Sequence, residues 1–344
     1  MPGHELAGVC TAVGAAVTKF KIGDHVGVGC MVDSCQACAA CKRGEEQMCT
    51  KQVSTYGGVD KSGRAASGPG APAHTLGGYT SHFVVQEAFA VLIPPGFPLE
   101  AAGPVMCAGV TLYDPLRRYG ATAGTRVAIV GIGGLGQMGV RLAKALGCTV
   151  TAITRSAAKA AFATRCGADA TLLSSDPAAM ARAARSFDLL LNTIPVEHDY
   201  APYSALLEPR RGTQVILGLN SALVAGFAVD AIVCGASRVK GSGIGSIAVT
   251  QEVVNLCAAR GIQPEIKVVQ PEEVNRVFEA LHGGEDSGVR YVIDLASLKD
   301  SSAFAKTAGL APPRLEKPAV TLGMGTLVGG ILKLLCCCGW RRRG

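Results

Sequence analysis

Aromatic side chains are scarce in this 344-residue chain, at 5% with a single tryptophan, and nowhere do they interleave with Lys and Arg. Grip on single-stranded nucleic acid depends on such interleaving, because bases stack on rings while phosphates pair with cations. The net charge of +7 is modest for the length, and its densest cluster is Arg341-Arg342-Arg343 at the end of the chain. Nucleic acid is therefore excluded as the expected partner. An apolar leader is also lacking, since the chain opens Met1-Pro2-Gly3-His4-Glu5. Without a secretory signal the 14 cysteines read as reduced thiols in the cytoplasm and not as a disulfide scaffold.

An uninterrupted membrane span is missing too. Ala319–Leu332 is apolar but broken by four glycines and followed by Lys333, whereas a spanning helix needs about 20 residues. The glycine content reads as a disordered tail. The alternative is membrane association: continued through Cys336-Cys337-Cys338 and Trp340 the stretch reaches spanning length with one charge, and Gly325 and Gly329 have helix-dimer spacing. The three cysteines are then candidate acylation sites, and the terminal arginines would stay in the cytosol.

What is abundant is apolar residue and glycine, with 49% hydrophobic content and 44 glycines, which suits about two domains with a large α/β core. Before residue 110 the chain alternates Gly, Val and turn residues, as in Gly8-Val9-Cys10, Lys21–Val28 and Tyr79–Val85, and short strands joined by turns are expected. Lys61–His74 reads as a surface loop. After residue 110 strands and helices alternate: a buried strand at Arg126–Val130, a helix over Leu135–Leu146 and a strand at Thr149–Ile153. Strands at Leu189–Leu191, Gln214–Leu217 and Val239–Gly241 continue the alternation, so a parallel sheet follows. A helix around Gln251–Ala259 and a strand at Val289–Ile293 close the globular part, with a tail from Ser297.

Two motifs carry chemistry. Cys35, Cys38, Cys41 and Cys49 form a C-x2-C-x2-C-x7-C array. The short gaps let neighbouring thiolates wrap a tetrahedral ion, and the long gap lets a small lobe close the coordination sphere, so a structural zinc is expected. An iron–sulfur cluster, or buried or disulfide-paired cysteines, are the alternatives. The second motif, Gly131-Ile132-Gly133-Gly134-Leu135-Gly136, follows the first strand of the alternating region and opens its helix. There the glycines permit a tight turn, close approach of a pyrophosphate and close helix–strand packing.

The end of the next strand selects the cofactor. NAD sites commonly place a carboxylate there, yet no Asp or Glu occurs between Val150 and Gly167. Thr154, Arg155, Ser156 and Lys159 offer hydroxyls and cations that suit a 2′-phosphate, so NADP(H) is expected over NAD(H).

Several separated motifs resemble, in order, those of the zinc-dependent medium-chain dehydrogenases: Gly3-His4-Glu5, the four-cysteine lobe, Gly77–His82 (GGYTSH), Met106–Tyr113 (MCAGVTLY) and the glycine loop. Leu191–Pro195 and Gly241–Ser246 resemble the cinnamyl alcohol dehydrogenase branch, which reduces aldehydes with NADPH. The resemblance implies an α/β chain with a GroES-like β-rich catalytic domain at 1–107, its zinc lobe at 30–50, and a Rossmann doubly wound parallel-sheet domain at 108–245. A return to the catalytic domain at 246–297 and a tail at 298–344 complete it. It further implies a catalytic zinc on His4 and Cys107 with Glu5 as exchangeable or outer carboxylate. The nucleotide would lie on Thr111, the glycine loop, Thr154, Arg155, Ser156, Lys159, Thr193, Gly218, Ser242, Gly243 and Ile244. A small alcohol or aldehyde is the implied partner, and a homodimer the implied assembly.

Family members carry a segment ahead of the G-H-E motif that holds another cysteine ligand and a proton-relay hydroxyl, and this chain begins at the motif. Two firm ligands, one of them four residues from a frayed terminus, predict a loosely held metal and weak turnover. The other functional reading is a catalytically impaired NADPH-binding or membrane-associated interaction protein on the same fold. Cys10 and Cys30 are the cysteines available to substitute, and the nearness of Cys30 to the lobe argues against it.

Overall fold

The structure, a computed structural model, describes residues 1–59, 74–218, 238–283, 288–296, 298, 319–323 and 326–328. The expected loop at 61–74 lies outside the described residues apart from His74, as do Cys336–Cys338, Trp340 and the terminal arginines. In chain order the strands are β1 (Leu6–Val13), β2 (His25–Val28), β3 (Met31–Asp33), β4 (Val53–Ser54), β5 (Phe83–Gln86), β6 (Ala90–Leu92), β7 (Arg126–Val130) and β8 (Thr149–Thr154). They continue with β9 (Ala170–Leu173), β10 (Leu189–Asn192), β11 (Thr213–Ile216), β12 (Arg238–Gly241), β13 (Ile266–Val269), β14 (Arg290–Asp294), β15 (Ala319–Gly323) and β16 (Thr326–Val328). The described residues fall into two compact units, one made of those within 1–107, 245–283 and 290–328, the other of those within 108–244 and 288–289.

The first unit holds an eight-stranded sheet with the path β13-β14-β16-β1-β15-β5, and β2 joins β1 to β6. A separate β3–β4 pair flanks the cysteine lobe. Here the sequence reading needs correction. It ends the globular part before residue 298, yet β15 pairs antiparallel with both β1 and β5, and β16 pairs with β14 and β1. The reason is backbone accounting: β1, β5 and β14 would otherwise present unpaired N–H and C=O rows, and an extended segment satisfies them. No helix among the described residues is long and apolar enough to cross a membrane.

The second unit is built on a six-stranded sheet, β12-β11-β10-β7-β8-β9, parallel throughout. Its central strands are apolar along their whole length because helices cover both faces. Val127–Val130 are at most 1% exposed, and Ala128, Val130, Ile153, Leu190 and Leu206 sit in one core cluster. From β7 the chain winds outward to β8 and β9, then returns to the other side of β7 with β10, β11 and β12. That reversal creates a crevice at the carboxyl ends of the strands, between β7 and β10, where such sheets bind ligands.

Candidate active site and metal centres

The carboxyl ends of the parallel strands gather nearly every residue assigned to the nucleotide. The glycine turn follows β7, Thr154 ends β8, Thr193 follows β10, Gly218 follows β11, and Ser242–Ile244 follow β12. Gly131 adopts φ +87°, a conformation open to glycine, and a Cβ there would meet Thr193 Oγ1 at 2.9 Å. At Gly136 a Cβ would collide with the Gly131 carbonyl, and at Gly218 with the Ile194 carbonyl. Thr193 Oγ1 lies 2.9 Å from Val130 O and 2.7 Å from Gly131 O, so its hydroxyl fixes the turn itself.

The helix Gly136–Ala145 starts as this turn ends, at the carboxyl end of β7, and its first turn is closed by Gln137 N–H on Gly133 O at 3.0 Å and Met138 N–H on Leu135 O at 3.1 Å. Thr154 is buried, Arg155 exposed, and Ser156 and Lys159 half-buried at the head of the helix Ala157–Arg165. Thr111 is buried on the helix Val110–Arg118, and Ser242 Oγ donates to Asp114 Oδ2 at 3.5 Å. Ile132 is buried, Gly133, Gly134 and Leu135 half-buried, Gly243 exposed and Ile244 half-buried with φ +45°. Missed by the sequence reading is Asn192, fully buried, which accepts from the Ile194 N–H at 3.1 Å and contacts His198 Nε2 at 3.0 Å. It holds the chain as it leaves β10.

In the first unit the four lobe thiols converge within 4.8 Å of one another. Measured pairs are Cys35–Cys41 at 3.9 Å, Cys38–Cys41 at 3.5 Å and Cys35–Cys49 at 3.5 Å. Two thiolates on a tetrahedral zinc sit about 3.8 Å apart, given a Zn–S length of about 2.3 Å. The lobe therefore fits the ion it is expected to hold. Backbone N–H groups of Ala37 and Cys38 pull the Cys35 thiol down to about 6, which favours the thiolate a metal needs.

His4 is not frayed. Gly77 N–H donates to Met1 O at 2.7 Å, Gly78 N–H to Gly3 O at 3.0 Å and Tyr79 N–H to Pro2 O at 3.1 Å. These bonds strap the first residues onto the GGY segment, and glycine is needed on both sides. A Cβ on Gly3 (φ +104°) would meet the Tyr79 ring at 2.7 Å, and one on Gly77 would strike the Pro2 carbonyl. His4 is 5% exposed, stacks on the Tyr56 ring at 5.7 Å and brings Nε2 to 3.3 Å from Cys107 Sγ. Cys107 lies in a single π-helical turn, Val105–Gly109, inserted between two α-helical segments, a local widening that often marks functional positions.

Glu5 is fully buried and its Oε1 accepts from Arg290 Nη2 at 3.0 Å, with Arg290 itself 2% exposed. Its Oε2 is buried with no hydrogen-bond partner, close enough to Cys107 and His4 for both to influence it. Burial pushes this carboxyl up, and the Arg290 charge pulls it back. A spare acceptor beside a His–Cys pair fits a cation better than it fits a closed core.

Cys30 corrects an expectation: it is not grouped with the lobe five residues on, but lies with His4 and Cys107, the three donor atoms within 4.8 Å of one another. The Cys107 thiol is held well above its usual range, first by a hydrogen bond with Cys30 and then by burial. Cys10 is buried in β1, outside this group.

Comparison with known proteins adds two family matches, the alcohol dehydrogenase GroES-like domain over residues 1–95 and the zinc-binding dehydrogenase over residues 134–259. An NADP-dependent alcohol dehydrogenase C of Mycolicibacterium smegmatis is 44% identical over 303 residues, 87% of this chain and 83% of that protein. A probable cinnamyl alcohol dehydrogenase of Picea abies is 42% identical, covering 86% of this chain and 80% of its own length. Among solved structures, a cinnamyl alcohol dehydrogenase from Sorghum bicolor matches with TM-score 0.81 at 42% identity, over 87% of this chain and 82% of that one. One from Helicobacter pylori, complexed with NADP(H), matches with TM-score 0.77 at 36% identity, over 86% and 82% of the two chains.

Proposed function

The chain belongs to the zinc-binding alcohol dehydrogenases with a GroES-like domain, in their cinnamyl alcohol dehydrogenase branch, and we propose that it transfers hydride between NADP(H) and an aromatic or allylic primary alcohol or aldehyde. The observation that carries this reading is the buried meeting of His4 Nε2 and Cys107 Sγ at 3.3 Å beside the spare Glu5 oxygen. A zinc ion there would supply Lewis-acid chemistry to the substrate oxygen, in either direction of the reaction.

His4 and Cys107 hold that ion, and the strap of Met1–Gly3 on Gly77–Tyr79 holds His4. Arg290 holds Glu5 in place through the hydrogen bond at 3.0 Å, and its charge opposes the upward push of burial on that carboxyl. On the nucleotide side, Gly131–Gly136 admits the pyrophosphate to the helix N-terminus, and Arg155 with Lys159 pairs the 2′-phosphate. Cys35, Cys38, Cys41 and Cys49 of the lobe would hold a second, structural zinc.

The reading includes a homodimer and a cytoplasmic location. Membrane contact through the tail competes with the pairing of β15 and β16 in the sheet. Steady-state assays of the zinc-replete full chain test the proposal. Cinnamaldehyde-dependent oxidation of NADPH, faster than with short aliphatic aldehydes, is expected, and its absence would overturn the reading in favour of a nucleotide-binding protein without turnover.

A further inference from the structure

Three chain segments converge on one point for reasons independent of any metal. β2 runs antiparallel to β1 with Gly27 opposite Ala7 and Val28 opposite Leu6. The ladder ends at that last pair, and counting its register on by two residues brings Cys30, in the bend that follows, level with His4, consistent with their donor atoms lying within 4.8 Å of each other. Side chains directly opposed in an antiparallel pair leave the same face, with Cβ atoms about 4.5–5.5 Å apart.

The third segment is brought in by glycine. A Cβ on Gly29 would meet the Met106 carbonyl oxygen at 2.8 Å, and one on Gly27 would run into the end of the Met106 side chain. The residue next to Met106 is Cys107. Thr55, fully buried, fixes the corner by donating its N–H to Cys30 O at 3.0 Å and its hydroxyl to Gly29 O.

We propose that Cys30 is the third protein ligand of the zinc held by His4 and Cys107, making a centre of two thiolates and one imidazole with Glu5 beside it and not on it. This rests on the reading that His4 and Cys107 hold zinc. Thiolate–imidazole pairs on a tetrahedral zinc sit about 3.6 Å apart and thiolate pairs about 3.8 Å, so donors already within 4.8 Å of one another close on the ion with small movements.

Charge decides between Cys30 and Glu5. Two thiolates and a neutral imidazole cancel the dication, and the Glu5–Arg290 pair cancels itself. Were Glu5 the third ligand in place of Cys30, its charge would go to the metal and Arg290, 2% exposed, would be left without an uncommitted counter-charge. Buried cations in that state are strongly disfavoured. The end of the β1–β2 ladder delivers Cys30 to the His4–Cys107 pair, and the corner is shaped by Gly29 and Thr55.

The test is zinc content per full chain, with chelator competition for affinity. Wild type is expected to hold two zinc ions, Cys38→Ser to lose the one in the lobe, and Cys30→Ser to keep the lobe zinc while the second site weakens by more than about 100-fold, beyond the 10–100-fold typical of an outer partner. If His4→Ala and Cys107→Ser lose the second zinc but Cys30→Ser binds it as wild type does, the Cys30 assignment fails and the two-residue reading stands. If His4→Ala and Cys107→Ser retain both ions, the underlying reading fails. Should Cys30→Ser lose both ions through misfolding, Cys30→Asp decides. Restored second-site binding, with cobalt showing one fewer thiolate charge-transfer contribution at that site than wild type, supports ligation; an unchanged cobalt spectrum contradicts it.

Discussion

At the scale of single residues, the cofactor preference rests on a substitution of chemistry at one strand end. Where NAD sites place a carboxylate, this chain has Thr154-Arg155-Ser156, with Arg155 exposed to receive a phosphate. Arg155→Asp replaces a partner by a repelling charge, and NADPH binding is expected to weaken by at least about 10-fold, the scale of one charge-assisted hydrogen bond. NADH binding should change by no more than about 3-fold, on the scale of a surface charge. Titration of nicotinamide fluorescence reads both, and equal losses would mean that Arg155 does not meet the 2′-phosphate. Arg155 was legible in sequence because its place follows from a strand and a glycine turn. Cys30 was not: proximity in sequence ties it to Cys35, while antiparallel register ties it to His4. The spare oxygen of Glu5 and its buried partner Arg290, 285 residues apart, were equally out of reach of any local pattern.

Among the elements, the parallel strands were the clearest in sequence because helices bury both faces, leaving uninterrupted apolar runs such as Val127–Val130. Short pieces such as β3, β4 and β6 escaped, being three residues or fewer, too brief to show a period of two. β7 and β10 lie side by side, and Asp188, just before β10, clasps the start of β7. Its carboxylate accepts from the Arg126 backbone N–H at 2.9 Å and from the guanidinium at 2.7 and 3.0 Å. The Arg126 hydrogen bonds hold this carboxyl below its ordinary 3.8. A depressed acid contributes stability that is full above the unfolded value and lost as pH falls through the lower folded value. Asp188→Asn should therefore cost about 0.5–1 kcal/mol at neutral pH, a modest figure because the pair is partly exposed. That difference should shrink towards zero in strong acid. Urea midpoints across pH check it, and a difference that grows on acidification would contradict the assignment.

On the scale of the whole molecule, the last described strands belong to the first unit. β15 fills the gap between β1 and β5, and β16 the gap between β14 and β1. In sequence this stretch resembles a tail because its glycines suppress helix, and glycine-flanked strands of five and three residues carry little signal of their own. Truncation after Ala296 should expose three strand edges and lower the melting temperature by at least about 4 °C, the shift that 1–2 kcal/mol produces in a domain of this size. Calorimetry decides, and an unchanged transition would return the segment to the tail.

The candidate metal donors lie in the first unit and the candidate nucleotide residues in the second, and one measurement asks for both at once. The zinc-replete full chain is given cinnamaldehyde and NADPH deuterated at the transferable position of the nicotinamide ring, and the alcohol product is analysed for label. The account predicts deuterium on the carbinol carbon with wild type and its loss with His4→Ala, although that variant still binds NADPH. Alcohol that forms without the label, or labelled alcohol formed as readily by His4→Ala, would contradict it.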